Sequence, residues 1–126
     1  MDPDSTTHAD FPELDPAALD RLRRFGGDKL LGDMIGLFLE ALPRRLGAAR
    51  AAFARDDCHV VEHELHALKS SAAQLGALRM HRLSQDGEHL AKAGTLEGVG
   101  SILDDLDAEE PRVREWLESA RSRENA

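Results

Sequence analysis

Between Glu62 and Ala77 the chain reads Glu-His-Glu-Leu-His-Ala-Leu-Lys-Ser-Ser-Ala-Ala-Gln-Leu-Gly-Ala. His63, His66, Lys69 and Ser70 fall within two helical turns of one another. An imidazole can act as a nucleophile, a proton carrier or a metal ligand. To take up a phosphoryl group it must offer solvent a neutral ring nitrogen. The group brings negative charge, so a cation one turn away favours the loaded ring. Lys69, three residues after His66, meets that need. A small side chain four residues on leaves room for the group and a partner, and Ser70 is small. The other ring nitrogen needs a partner that fixes its orientation and tautomer. Glu88 and Gln85, on one face of a later segment, are the candidates. His63 has no lysine three residues on, because His66 occupies that position. Cys58, His59 and His63 suggest a rival chemistry, since an i, i+4 histidine pair can bind zinc. No second ligand cluster completes such a site, so no metal is expected.

These side chains need a helix to position them. Val61, Leu65, Leu68, Ala72 and Leu75 are spaced 4, 3, 4 and 3, one apolar stripe that predicts a helix from about 58 to 75. With that stripe at zero and 100° per residue, His66 falls roughly 140° away, His59 near 160°, Ser70 near 180° and His63 near 200°. Lys69 lies to one side, near 80°. The histidines face away from the core. Gly76 ends this helix, and a tight connection leads to another from about 78 to 93. There Met80, Leu83, Gly87 and Leu90 share one face, while His81, Gln85 and Glu88 share the other. Gly87 in mid-helix costs roughly 1 kcal/mol against alanine and points to the close approach of a neighbour.

The remaining segments supply the packing. Asp15-Pro16 opens a short helix carrying Leu19, Leu22 and Phe25, which Gly26-Gly27 stops. Asp28 caps a longer one with a stripe of Leu31, Ile35, Phe38, Leu42, Leu46, Ala49 and Phe53. Leu30, Met34 and Leu37 widen the stripe and suggest burial on two sides. Pro43 lies inside it, which predicts a kinked helix rather than two. Asp56 or Asp57 caps the next helix. After Gly94, Thr95 caps a last helix with Leu96, Val99, Leu103, Leu106, Val113 and Leu117, a gap at Glu110 and a kink at Pro111. The pattern predicts an all-α fold, an antiparallel four-helix bundle with a short additional N-terminal helix. Its bounds are a lead-in or linker over 1–12, the bundle over 13–120 and a frayed tail over 121–126.

His66-Ala67-Leu68-Lys69-Ser70-Ser71-Ala72, followed by Leu75-Gly76-Ala77, resembles the signature of histidine-containing phosphotransfer (HPt) domains of two-component phosphorelays. The family pattern is His-x-Leu-Lys-Gly-Ser-Ser-x-x-Leu-Gly-Ala. The resemblance covers roughly residues 13 to 118. It implies that His66 is phosphorylated and that Lys69 faces the phosphate. The family often sets a Gln or Glu of the next helix against the histidine ring, which implies Glu88, with Gln85 second. Ser70 departs from the usual glycine; its hydroxyl narrows the space or donates to the phosphoryl group. The resemblance further implies a phosphocarrier rather than an enzyme. The group comes from a receiver-domain aspartate, on a response regulator or hybrid histidine kinase, and passes to another receiver. No cofactor is implied for this chain, and magnesium belongs to the receiver.

Composition agrees with this reading. The 126 residues suit one domain, and a core without tyrosine and with four Phe and one Trp suits helices. A net charge of −8 without a basic block argues against a nucleic-acid partner. One cysteine, Cys58, permits no internal disulfide and fits a reducing compartment. No apolar run reaches the 18 or so residues of a membrane span, and the N-terminus lacks a signal-peptide pattern. The expectation is a cytoplasmic monomer without membrane contact. Docking of a receiver is expected on a partly apolar surface around His66, with Ala67 and Ala73 as members. The alternatives are a helical interaction module without phosphotransfer, or a Cys/His metal-binding bundle.

Overall fold

The computed structural model describes residues 14–125. They form four helices: α1 (Pro16–Ala54), α2 (Cys58–Gln74), α3 (Leu78–Lys92) and α4 (Val99–Asn125). α1 packs on α2 and α4, and α3 packs on the same two, which closes the expected four-helix bundle. The lead-in expected over 1–12 lies outside the described residues. α4 continues to Asn125, into the stretch expected to fray.

The short first helix is the opening arm of α1. Asp15 caps it, its carboxylate accepting from the Ala17 N–H at 3.1 Å, with Pro16 in the first turn. Gly27 then leaves helical space, with φ 77° and ψ −177°, and separates the arm from the long segment over 28–54. The arm is seated on the end of α2. The Asp15 N–H donates to the Gly76 carbonyl at 2.8 Å, Leu14 bridges to Ala77, and Ala18 and Leu19 are buried. Gly76 has φ 77°, and a β-carbon there would stand 2.4 Å from the Asp15 carbonyl oxygen. Only glycine suits both conditions.

α1 runs through Pro43 to Ala54, and Gly27 is its one non-helical residue. Proline has no N–H for the carbonyl four residues earlier, that of Leu39. The Arg114 guanidinium of α4 donates to that oxygen at 3.1 Å instead. Leu31, Ile35, Phe38, Leu42, Leu46 and Ala49 are buried as the stripe requires. The expected second buried side is absent: Leu30 and Met34 are half-buried and Leu37 is 68% exposed. Phe25, expected in the core, is 87% exposed just before the break at Gly27.

Asp57, not Asp56, caps α2, accepting from the Val60 N–H at 3.2 Å, while Asp56 turns the chain with φ 59°. α4 starts later than expected. Thr95 closes only a turn, accepting from the Glu97 N–H, and Gly98 with φ 85° precedes the first helical residue, Val99. Across the gap in the α4 series the inward residue is Glu109, 5% exposed, with Arg112 at 3.3 Å and Arg79 of α3 at 3.9 Å. Arg45 and Glu64, 2.9 Å apart, tie α1 to α2.

Candidate functional site

α2 holds His66 between buried Leu65 and the half-buried Ala67, and its side chain is 61% exposed. Its neighbour across the helix pair is Glu88 of α3. Nδ1 of His66 lies 2.5 Å from Glu88 Oε2, and Lys69 Nζ lies 2.6 Å from Oε1. One carboxylate thus joins the two residues singled out on α2. Gly87 permits this closeness, because a β-carbon there would lie 2.5 Å from Leu65 Cδ1. A second contact fixes the same pair of helices: His81 Nδ1 donates to the Lys69 carbonyl at 3.1 Å.

The Glu88 side chain is 14% exposed. Burial raises its proton affinity, but hydrogen bonds from Lys69 and then His66, with their charges, outweigh it, so the carboxyl is held below the usual glutamate range. An ionised carboxylate only accepts hydrogen bonds. The ring must therefore carry its proton on Nδ1, which leaves the Nε2 lone pair free in the neutral form. An exposed nucleophilic nitrogen with a fixed tautomer is what this cluster provides.

Gln85, the other candidate for the ring, is exposed and makes no hydrogen bond to it; being one turn from Glu88 is not enough to reach. Lys69 is only partly free, at 23% exposure, because Glu88 already holds its ammonium. Ser70 is exposed, one turn beyond His66. Ala72 is buried packing, as its place on the stripe requires. Among the described residues no three His, Cys, Asp or Glu side chains are grouped to hold a metal ion. His81 was expected on the surface, yet it is half-buried and bonded across the helix pair. Its place on the same face as Glu88 was the available signal.

Two grooves border α2, one of them at His66. One, about 330 Å³, is lined by His66 and Glu88 with His59, Glu62, His63 and Lys92. The other, about 250 Å³, lies between α1 and α2 and is largely apolar, with Met34, Leu37, Ala41, Ser71 and Gln74 among its lining residues.

The sequence model of the Hpt domain family matches residues 33–122. The chain belongs to the Hpt domain family. Hpt domains are phosphocarriers of phosphorelays, and that is the role of this chain. The match begins beyond the arm of α1 and includes every residue of the His66 cluster. Among solved structures, this Hpt domain is similar to histidine-containing phosphotransfer protein B (HptB) from Pseudomonas aeruginosa PAO1, with 23% identity, a TM-score of 0.83, and 89% of this chain and 96% of that one covered. It is also similar to the HPT domain of a sensor hybrid histidine kinase from Shewanella, with 20% identity, a TM-score of 0.74, and 88% and 95% covered. At these identities the likeness is one of fold. No curated protein matches the chain significantly. No helix among the described residues is long and apolar enough to cross a membrane.

Proposed function

We propose that His66 is the phosphoryl acceptor of this Hpt domain. The observation that carries the reading is the contact between Nδ1 and Glu88. It keeps the proton on Nδ1 and the lone pair on the exposed Nε2. In the reaction Nε2 attacks the phosphorus of a receiver's aspartyl phosphate. The P–O bond breaks with its electron pair staying on the aspartate, and a P–N bond forms. The ring gains positive charge, which Glu88 balances through the retained Nδ1–H. Transfer onward reverses these steps at a second receiver. No proton has to move, so the chain needs no acid or base of its own. Magnesium and the acidic residues that bind it belong to the receiver, and the chain works as a carrier rather than an autonomous enzyme. A reducing cytoplasm suits its single cysteine.

The receiver must cover Nε2, so its docking face has to include His66. His66, Ser70 and Gln74, at spacings of four, form one exposed ridge along α2. Gln74 borders the apolar groove with Leu37, so the ridge and groove make one continuous surface. That surface uses α1 and α2, with Ala67 on the ridge's flank. Ala73 is exposed on the side towards α3 and stands outside it.

Incubation with phosphorylated receivers tests the acceptor. Wild type should gain acid-labile, alkali-stable label, and His66→Gln should gain none. Equal labelling of His66→Gln would move the acceptor to another histidine.

A further inference from the structure

Lys69 stands at the spacing expected of a phosphoryl-facing cation, but its ammonium is 2.6 Å from Glu88 Oε1. Drawing it to the phosphoryl group would remove a partner from the carboxylate that fixes the ring. A different cation lines the same groove as His66. The 330 Å³ groove beside the ring is lined on α2 by His59, Glu62 and His63 and on α3 by Glu88 and Lys92. Lys92 lies four residues after Glu88, hence on the same face of α3 and one turn further along. It is exposed and has no ion-pair partner among the described residues. Of the groups lining this groove, Glu88 is already matched by Lys69 and His66, and His59 and His63 carry charge only when protonated. Lys92 is its permanent positive charge, opposed by Glu62.

We propose that Lys92 holds the phosphoryl group carried by His66, while Lys69 stays with Glu88 to fix the ring. This rests on His66 being the acceptor. A phosphoryl group adds about −1.5 to −2 charge near neutral pH. It brings that charge to a groove whose lining holds one lysine, Lys92. The division of labour gives each lysine one anion: Lys69 a permanent one, Lys92 one that comes and goes with loading.

The test loads the full chain with phosphoramidate, which needs no receiver: its P–N bond breaks, ammonia leaves and the phosphorus bonds to Nε2. Phosphorus NMR then follows the protonation of the bound group with pH, and His66→Gln identifies the His66 signal against His59 and His63. Lys92→Gln should raise the pH of that protonation by about half a unit, the size expected of one exposed cation a few ångström away. Lys92→Arg should restore the wild-type value, and Lys69→Gln should shift it less than Lys92→Gln does. A titration unchanged by Lys92→Gln, or a larger shift from Lys69→Gln, overturns the assignment while leaving His66 as the acceptor. Absence of any His66-dependent signal overturns both.

Discussion

Glu88 is the residue on which the site turns. It accepts from a ring N–H and an ammonium at once, with little water around it. Burial works against its charge, and the hydrogen bonds from Lys69 and His66 more than offset burial. Its folded proton affinity is therefore below that of an unfolded glutamate. The stability gained from the charged form is fully present above the ordinary glutamate value and is lost as pH falls through the lower folded value. We expect the stability difference between wild type and Glu88→Gln to hold steady from neutral pH down to that range, then shrink with further acidification. Urea unfolding at a series of pH values measures it. A difference that instead collapsed between about pH 7 and pH 5 would show that a group other than the Glu88 carboxyl sets the pH dependence. The amide of Glu88→Gln can still accept from Nδ1–H but has no charge to give Lys69. Transfer in that variant should therefore slow rather than stop. Helical spacing set the faces of His66 and Glu88, and the resemblance to the phosphotransfer signature put them ahead of His63 and Gln85. Spacing within one helix does not separate Glu88 from Gln85; the register of α3 against α2 does, by setting Glu88 against the ring.

At the scale of the helices, the sequence announces each breaker but not its consequence. Pro43 suggested one helix continued through the proline, and α1 does run through it, while the non-helical residue of α1 is Gly27. The difference lies in what tertiary contacts supply. The carbonyl left by Pro43 is bonded by Arg114, a residue 75 positions away in the chain, and such a pairing has no local signature. Removing the donor with Arg114→Met should cost about 1–2 kcal/mol, the usual penalty of an orphaned carbonyl. Pro43→Ala restores the missing N–H to α1, so the same Arg114 change should then cost less by about 0.5–1 kcal/mol. The residual cost reflects the contacts of Arg114 with Glu110 and Glu118. Denaturant unfolding of the two single variants and the double variant gives the coupling. Additive effects would show that water, not Arg114, satisfies the Leu39 carbonyl. Thr95 and Gly98 make the same point at the start of α4. A capping residue was present, but a positive φ three residues later delays the helix to Val99.

For the molecule as a whole, the bundle was legible because each buried stripe repeats at helical spacing over several turns. The exposed apolar side of α1 was not, and Leu37 shows why. Apolar residues at 30, 34 and 37 read as a wider core when only α1 is considered. Burial is decided by where neighbours sit, and α2 and α4 cover one side of the helix, leaving Leu37 68% exposed. An exposed leucine beside an apolar groove, continuous with the ridge that carries His66, costs solubility and contributes little to the core. It is better explained as part of the surface that a receiver covers. Leu37→Asp should therefore leave stability within about 0.5 kcal/mol of wild type, as for other surface changes. It should raise the receiver concentration needed for half-maximal transfer about tenfold, the loss of one apolar anchor. The maximal rate should hardly move, because on the proposed docking face Leu37 would contact the partner equally before and during transfer. Stopped transfer at saturating receiver would mean that Leu37 shapes the site itself. An unchanged half-maximal concentration would place the docking face on the α3 side of His66, over the groove that holds Lys92.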